Sequence, residues 1–387
     1  MFLRYCIVVL SVIFCFDIGA KVENKNLRVL FVVAYFPAPS QTYILNMMTG
    51  LIDKGHQVSI FAFRKNNGAI PQPNVEKYGL LDSVLYEEFP KELPDCDIVF
   101  CQSATWAKKI IEMEALQQWL KNKKIVVCLR GADIASNVVA ENSFMYHELF
   151  QKADLFLPVC EYFKRLVIGY GCDSHKVVVL HSAIDCQKFS FRERKRDKKK
   201  RAKINLVSVC RLVQKKGVEY AIEAFAEVAK KYKTLRFTIV GTGHLQNKLK
   251  RLAARLGVLH RITFFGWGTQ DQVAEILDKS HIFLLPSVTS PGGEQEGIAN
   301  ALKEAMSMGL IAIATPHAGT PELVEDGVSG FLVPEGNSMA LAKKIKYVIK
   351  HPEIWKSMGI AARKKVENEF EIKKTMDQLE DLFFQLF

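Results

Sequence analysis

The sequence predicts an α/β protein made of two doubly wound, Rossmann-like domains that face each other across a cleft. Strand-length apolar runs alternate with helical segments through most of the 387 residues, which is typical of parallel sheets covered by helices on both faces. A strongly basic stretch interrupts this alternation, which then begins afresh. The 49% hydrophobic residues suffice for two packed cores. Because ligands of such sheets bind beyond the carboxyl ends of the strands, we expect the site in the loops that line the cleft.

The first 26 residues are treated apart from the fold. A short apolar stretch, 5–16, lies between Arg4 and Asp17. Its length is typical of a signal peptide and is short for a membrane span, which needs about 20 residues. No apolar run reaches the length of a span, so a protein with several spans is excluded. Residues 1–26 are therefore interpreted as a signal-like or anchor-like segment, with cleavage left open.

The first domain is predicted at residues 27–185. Continuous apolar runs of strand length indicate parallel strands buried on both faces. Helices are expected between them, for example at 43–54, which Gly55 ends, and at 104–120. Asp95 and Asp97 precede a strand instead of following one, which indicates a turn and not the Asp-x-Asp motif of metal-dependent transferases. The predicted strands are 27–36, 56–63, 97–102, 124–129, 154–159 and 176–181.

Residues 186–203 are predicted to form a basic linker. Its part 191–203 holds nine basic and two acidic residues, which is +7 of the net charge of +12. Such a block is typical of a solvated linker, and the alternative is a patch for a membrane surface or an acidic substrate. Nucleic acid is not expected as a partner, because no aromatic residues alternate with the charges.

The second domain is predicted at 204–350, and helices follow at 351–387. An apolar stripe predicts a helix at 218–229. In the last segment, apolar residues at helical spacing predict helices that pack back on the first domain, and a membrane-binding face is the alternative. The predicted strands of the second domain are 204–210, 235–241, 261–266, 281–286 and 310–315.

The nine cysteines form no C-x-x-C pair, so no metal cluster is expected. Cys101, Cys128 and Cys210 lie in or at the ends of apolar runs, where cysteine behaves as a small hydrophobic residue. This usage predicts a reduced, cytosolic catalytic region.

The segment 286–333 carries the most informative chemistry. A strand leads into a loop with Gly292 and Gly293, which permit a close backbone approach, and then into a helix predicted at 297–308. Unpaired N–H groups and the dipole at a helix start suit a phosphate. Glu296 and Glu304 lie on either side of that helix start, where their carboxylates suit the hydroxyl groups of two sugars. The alternative is that Glu296 is a first-turn acid and Glu304 part of a solvated helix face.

Two basic residues belong to the same strand-end surface. Arg211 and Lys216 follow the first strand of the second domain, where their charges suit a diphosphate without a metal ion. Gly241 and Gly243 form a further strand-to-helix turn, for which a simple tight turn is the alternative to donor binding.

These segments together resemble the family 4 retaining glycosyltransferases, which have the GT-B fold. The likeness is greatest to bacterial enzymes of exopolysaccharide and lipopolysaccharide assembly of the colanic-acid type, and it runs over residues 27–350. The resemblance implies that Glu296 contacts the transferred sugar and that Glu304 holds the ribose. It also implies that Arg211 and Lys216 hold the diphosphate of a nucleotide-sugar donor, with no metal or other cofactor. The N–H groups that would cap the phosphate are those of Gly297, Ile298 and Ala299.

The first domain departs from the family at one position. Many relatives have a histidine where this chain has Arg130, which cannot act as a base. Arg130 is expected to contact a sugar hydroxyl or the developing phosphate charge, or else to pair with Asp133 and brace the loop. The resemblance then favours a front-face reaction, in which the leaving phosphate takes the acceptor proton. The candidate acceptor-side residues are Asp133, Gln41, Thr42 and His181, while His317 is left as either a ligand contact or a loop residue.

The function expected from the resemblance is sugar transfer from a nucleotide-sugar donor to a glycan or lipid-linked acceptor of the cell envelope. Two alternatives are a nucleotide-sugar 2-epimerase of the same fold and a non-catalytic glycan- or nucleotide-binding subunit. Because nucleotide sugars are cytosolic, we expect a hexosyltransferase at the cytoplasmic side of the membrane, either peripheral or anchored by its amino-terminal segment.

Overall fold

The computed structural model describes residues 26–38, 41–67, 72–87, 90, 92–196 and 203–387. Nearly all of the signal-like or anchor-like segment, 1–25, and the middle of the basic linker, 197–202, lie outside the described residues. Within the described ranges, no helix has the length and apolar character needed to cross a membrane.

The first domain is built on a six-stranded parallel sheet with the strand order β3-β2-β1-β4-β5-β6. Its strands are β1 (Arg28–Phe36), β2 (Gln57–Lys65), β3 (Val84–Tyr86), β4 (Ile98–Cys101), β5 (Lys124–Leu129) and β6 (Leu155–Pro158). The helices are α1 (Thr42–Asp53), α2 (Pro73–Lys77), α3 (Ala104–Ile111), α4 (Gln117–Leu120), α5 (Asn137–Glu141), α6 (His147–Lys152) and α7 (Glu161–Gly169).

The second domain repeats this plan with the strand order β12-β11-β10-β7-β8-β9. Its strands are β7 (Ile204–Val209), β8 (Leu235–Val240), β9 (Ile262–Gly266), β10 (Ile282–Leu285), β11 (Ile311–Ala314) and β12 (Phe331–Leu332). The helices are α8 (Val218–Ala229), α9 (Gln246–Arg255), α10 (Gln270–Asp278), α11 (Asn300–Ser307), α12 (Thr320–Leu323) and α13 (Ser338–Lys350). The predicted α/β class with two doubly wound sheets is therefore confirmed.

The apolar runs fold as central strands because both of their faces are covered. In β1, Leu30 and Val32 enter one core and Val29 and Phe31 enter the other, and all four are fully buried. In each sheet the chain order reverses beside the first strand, between β1 and β4 and between β7 and β10. Such a switch point opens a crevice at the carboxyl ends of the strands, which is where the candidate site lies.

Two predicted elements differ in the structure. Residues 177–180 run beside β6, where Leu180 N–H donates to Pro158 O at 3.0 Å, but they form no regular strand. Pro158 has no N–H group with which to return a hydrogen bond. The helix predicted at 104–120 ends at Ile111, and the Gln117 side chain donates to the carbonyl groups of Ile111 and of Met113 beyond that end.

The two C-terminal helices, α14 (Trp355–Glu369) and α15 (Ile372–Phe384), pack on different domains. In α15, Phe383 meets Phe100 edge-on at 5.2 Å, so this helix covers the first domain as the sequence predicted. In α14, Trp355 and Met358 belong to the core of the second domain. The expectation that the whole segment 351–387 packs on the first domain is therefore corrected for α14.

The chain passes from one domain to the other twice, near residue 184 and near residue 371. Backbone hydrogen bonds join these two segments. Ile184 N–H donates to Phe370 O at 3.0 Å, and Ile372 N–H donates to Ile184 O at 3.1 Å. In the described part of the basic stretch Arg192, Lys195 and Arg196 are exposed and Arg194 is packed, so the interpretation as a solvated linker is corrected for Arg194 alone. Arg194 is 6% exposed and donates to Met308 O at 2.8 Å, and burial lowers the pKa of its guanidinium to about 10.

Candidate active site

A cavity of about 380 Å³ lies between the carboxyl ends of the two sheets. It brings together Arg211, Lys216 and Glu296 from the second domain with Arg130 and Gln41 from the first. The other lining residues are Tyr35, Tyr43, Val159, Ser182, Lys215, Gly297, Ile298, Ala299 and Asn300. We refer to it as the central cavity.

Glu296 is held as a carboxylate inside this cavity. Lys216 Nζ forms an ion pair with its Oε1 atom, and Ser287 Oγ donates to Oε2 at 3.2 Å. Burial raises the pKa of the Glu296 carboxyl, but the positive charges of Lys216 and Lys215 outweigh it, so the net shift is downward. Glu296 is therefore ionised at neutral pH.

Three cations, Arg211, Lys215 and Lys216, lie within the seven residues that follow β7. Lys215 and Lys216 are less than a tenth exposed, whereas the exposed Arg211 guanidinium makes no hydrogen bond or ion pair to any residue in the described ranges. Gly217 has a φ of +58°, and a Cβ atom there would lie 1.9 Å from Pro286 O. This close turn carries the lysines to the end of β10, next to Glu296. Burial lowers the pKa of the Lys215 ammonium.

His317 fixes the backbone of Glu296 instead of lining the central cavity. Its Nε2 atom accepts from Glu296 N–H at 3.1 Å, so the proton lies on Nδ1, which faces Glu335 Oε1 at 2.7 Å. Glu335 Oε2 also accepts from Thr289 N–H at 3.1 Å. This chain of hydrogen bonds holds both ends of the loop after β10.

The helix that follows Glu296 begins later than predicted, at Asn300 and not at 297. Gly297, Ile298 and Ala299 therefore belong to the preceding loop. No acceptor within the described part of the chain takes a hydrogen bond from their three backbone N–H groups. Successive free N–H groups at a cavity wall form a concave donor surface that suits an anion.

Glu304 lies in a second cavity, of about 430 Å³, which shares Asn300 with the first. Its side chain is 8% exposed. Burial raises the pKa of the Glu304 carboxyl to about 7, against the positive charges of Lys303 and Lys188. Thr42 and the half-exposed Trp267 line the same cavity. The solvated helix face considered for Glu304 is therefore wrong, because the carboxyl is buried.

Arg130 lies in the first-domain wall of the central cavity and does not pair with the Asp133 side chain. Its Nη1 donates to Ser182 Oγ at 3.0 Å, its Nη2 donates to Gln102 Oε1 at 3.1 Å, and its guanidinium lies 4.2 Å from the centre of the Tyr43 ring. Asp133 accepts instead from backbone N–H groups, those of Gly131 at 2.9 Å and Ala104 at 3.1 Å. Asp133 therefore braces its loop and does not line the cavity, which corrects its acceptor-side assignment.

His181 lies behind the central cavity, at the contact between the domains. Its Nε2 atom is 3.3 Å from Glu322 Oε2, and its ring is 4.6 Å from that of Phe370. Glu322, on the second domain, also accepts from Glu161 N–H at 3.0 Å at the start of α7. The acceptor-side role predicted for His181 is replaced by a link between the domains.

Four predicted donor-binding glycines line neither cavity. A Cβ atom on Gly241 would lie 1.9 Å from Cys210 O, and one on Gly243 would lie 2.4 Å from Leu212 O. Gly293 packs in the same way on Asn137, whose N–H donates to Gly292 O at 3.0 Å. Gly241, Gly243 and Gly293 therefore permit close packing, whereas a Cβ atom on Gly292 would meet only Ser290 Oγ, at 3.9 Å.

Sequence reasoning missed several residues of the site. Lys215 precedes Lys216, and the doubled lysine was a signal for it. Ser287, Ser182 and Glu335 come from segments far apart in the chain, so no local pattern indicates them. The described residues include no group of three or more histidine, cysteine, aspartate or glutamate side chains placed to hold a metal ion.

Two family models match the chain in succession. Residues 40–188 match Glycosyltransferase Family 4, and residues 189–365 match Glycosyl transferases group 1. The boundary between the matches falls in the basic linker.

Two relatives are similar over nearly the whole chain. A Salmonella typhimurium protein that bears the name colanic acid biosynthesis glycosyltransferase is 30% identical, over 92% of this chain and 99% of its own. The amylovoran biosynthesis glycosyltransferase of Erwinia amylovora is 29% identical, over 93% of this chain and 100% of its own.

A solved structure shares the fold. The Anabaena protein HepE in complex with UDP-glucose superimposes with a TM-score of 0.74 at 17% identity, over 93% of this chain and 100% of its own. This likeness confirms the GT-B fold.

Proposed function

Because this chain belongs to the glycosyltransferases, with a Family 4 domain followed by a group 1 domain, we propose that it is a retaining hexosyltransferase. Its donor is a nucleoside-diphosphate sugar, and its acceptor is a glycan or a lipid-linked glycan. The observation that carries this proposal is the ion pair of Lys216 and Glu296 beside Arg211 and the three free N–H groups of residues 297–299.

The central cavity is suited to a diphosphate with a sugar attached. Arg211, Lys215 and Lys216 supply three positive charges against the single carboxylate of Glu296. This excess matches the diphosphate of the intact donor, which carries one negative charge on each phosphate. A further negative charge develops on the terminal phosphate as the sugar departs, and fixed cations stabilise that charge. We propose that the diphosphate lies between these cations and the N–H groups of residues 297–299, with no metal ion required.

Glu296 is proposed to contact the transferred sugar. Its Oε2 atom already accepts from Ser287 and its Oε1 atom from Lys216, so the carboxylate is oriented before the donor arrives. Glu304, in the adjoining cavity, is proposed to hold the ribose. Arg130 is a charged lining residue on the acceptor side, and a guanidinium cannot act as a base. A front-face reaction with retention, in which the departing phosphate takes the acceptor proton, therefore fits this wall.

The pathway is proposed from the relatives. Their names place them in colanic acid and amylovoran biosynthesis, so we propose that this chain extends an exopolysaccharide or lipopolysaccharide. The Anabaena structure holds UDP-glucose, and UDP-hexoses are accordingly the first donors to test.

The experiment is a screen of nucleotide sugars for thermal stabilisation, followed by a transfer assay with the donor that binds. We expect one donor to stabilise the protein and a glycosylated product to form. A free epimerised sugar without transfer would instead identify a 2-epimerase, and binding without any turnover over a panel of acceptors would identify a binding subunit. Either result would overturn the proposed transfer.

We further propose that the protein is held at the cytoplasmic face of the membrane by residues 1–25, with help from the basic stretch. Deletion of residues 1–25 is expected to move the protein from the membrane fraction to the soluble fraction. The comparison is fractionation of the full chain in parallel, and an unchanged distribution would contradict the tether.

A further inference from the structure

We infer that Arg130 binds a negatively charged group on the acceptor, so that the acceptor is an anionic glycan or a phosphate-bearing lipid-linked sugar. This inference rests on the proposed function and adds the chemical class of the second substrate. It is carried by the charges of the central cavity and by the way in which Arg130 is held.

The first argument is the charge balance of the central cavity. Four cations and one carboxylate line it, which gives a net charge of +3. Glu296 and the donor diphosphate, with one negative charge on each phosphate, supply negative charge at the second-domain wall, where Lys215 also lies 3.6 Å from Glu294 Oε2. Arg211, Lys215 and Lys216 share that wall with the proposed diphosphate site, while Arg130 lies on the opposite wall. Among the described lining residues no carboxylate belongs to the wall that holds Arg130, so its charge is unmatched on the acceptor side.

The second argument is that the partners of the Arg130 side chain are neutral. They are Ser182 Oγ, Gln102 Oε1, Cys128 Sγ at 3.4 Å and Met47 Sδ at 3.7 Å. No ion pair joins Arg130 to a carboxylate within the described ranges, and the nearby Asp133 directs its oxygens at backbone N–H groups. A half-buried guanidinium without a counter-ion is costly unless a ligand supplies one.

The third argument is that Arg130 is held rigidly. Contacts from three sides and the Tyr43 ring at 4.2 Å fix the plane of the guanidinium. Lys303, from the second domain, donates to the backbone oxygen of the same Ser182, so this partner of Arg130 is itself held in place. A cation fixed in advance binds a carboxylate or phosphate with little loss of side-chain entropy.

The carboxylate of a uronic acid and the phosphate of a lipid-linked sugar supply the same chemistry. Two matched pairs of compounds distinguish these sources. The first pair is 4-nitrophenyl glucuronide and 4-nitrophenyl glucoside, and the second is glucose linked to farnesol through a diphosphate and the plain farnesyl glucoside. Binding of each compound is measured by calorimetry with the best nucleotide from the donor screen already bound.

We expect the wild-type protein to bind the charged member of one pair about tenfold or more tightly than its neutral partner. Arg130→Gln should abolish that preference while nucleotide affinity stays unchanged, and Arg130→Lys should retain part of it. The control is Arg165→Gln, which removes an exposed arginine outside the cavity. Thermal unfolding of each variant checks that it is folded.

Equal affinity for both members of each pair, a preference that survives in Arg130→Gln, or failure of both charged compounds to bind would overturn the inference. A loss of nucleotide affinity in Arg130→Gln would also overturn it and assign the residue to the donor. If no nucleotide sugar binds to the wild-type protein, the proposed function fails first. If donor binding and transfer occur without a charge preference, only the inference about Arg130 fails.

Discussion

At the scale of single residues, the site depends on side chains that are charged and buried at once. Lys216 and Glu296 satisfy each other inside the central cavity, and Ser287 and His317 orient the carboxylate and its backbone. The spacing of Glu296 and Glu304 and the basic run after β7 predicted this part of the site. The role of His317 was left open between a ligand contact and a loop residue, because its partner Glu335 is separated from it by α12 and β12, whose positions only the fold determines.

Glu296→Ala and Lys216→Ala are each expected to lower kcat/KM by on the order of a hundredfold or more, because each removes a charge placed at the reacting sugar or diphosphate. Transfer assays on folded protein test this expectation. The control is Glu114→Ala, which removes an exposed carboxylate outside both cavities. Full activity in either site variant would contradict the assignment.

Glu296→Ala leaves the buried charge of Lys216 without this partner, and Lys216→Ala does the same to Glu296. A double variant that carries both substitutions removes both charges of the pair. The double variant should therefore be more stable than at least one single variant and remain inactive. Urea unfolding of all three proteins separates this effect on stability from the loss of activity.

Because the Glu304 carboxyl is buried, we expect the free energy of unfolding to depend on pH. Burial raises the pKa of its carboxyl in the folded state to about 7, above its ordinary value. The folded state then keeps a proton that the unfolded chain releases, so the free energy of unfolding falls as the pH rises through this window to about 7. Burial also lowers the pKa of Lys303 to about 7, which gives a slope of the opposite sign above that pH.

In Glu304→Gln the free energy of unfolding should no longer decrease as the pH rises to about 7. Its increase with pH above about 7 should remain. Urea unfolding at pH values from about 5 to about 9 tests this expectation, with the exposed Glu294→Gln as the matched control. Parallel pH profiles for the wild type and Glu304→Gln would show that the Glu304 carboxyl is not perturbed.

At the scale of elements, the apolar runs predicted the central strands because these are buried on both faces. The edge strands gave a weaker signal, since β3 and β12 have only three and two residues. The start of α11 was placed three residues early, because the free N–H groups of residues 297–299 belong to a loop whose shape depends on Val159 and Phe163 of the other domain. Local sequence carries no information about such a partner.

The helix α15 is expected to contribute to the stability of the first domain. Phe383 is fully buried against Phe100, and Lys54 Nζ pairs with Glu380 Oε2 at 2.7 Å. Phe383→Ala should lower the free energy of unfolding by about 3 kcal/mol, because it leaves a cavity in that core. Denaturant unfolding measures the change, with the exposed Phe144→Ala as the control. Equal stabilities would show that α15 is not needed by the domain.

At the scale of the whole molecule, the position of one domain relative to the other determines the shape of the site. Gly297 is a point of close approach between the two walls of the central cavity. A Cβ atom there would lie 2.7 Å from Val159 Cγ2 and 3.2 Å from Phe163 Cε2, both across the cleft. The sequence predicted two facing domains, but the distance between their walls depends on this contact.

Gly297→Ala is expected to lower kcat/KM by about tenfold or more, because the added methyl group displaces the loop that carries Glu296. The destabilisation should be moderate, about 1–3 kcal/mol. Gly292→Ala is the matched control, since a Cβ atom there meets nothing closer than Ser290 Oγ at 3.9 Å. Transfer kinetics of the two variants are compared, and equal rates would show that the cleft tolerates the methyl group.

The packing of α15 on the first domain has a consequence for how the chain folds during its synthesis. The surface of α1 and the edge of Phe100 are covered by the last thirteen-residue helix of the chain. During synthesis on the ribosome, the first domain therefore keeps an uncovered apolar surface until α15 leaves the exit tunnel. Translation products that stop short of this helix would present that surface to chaperones and proteases.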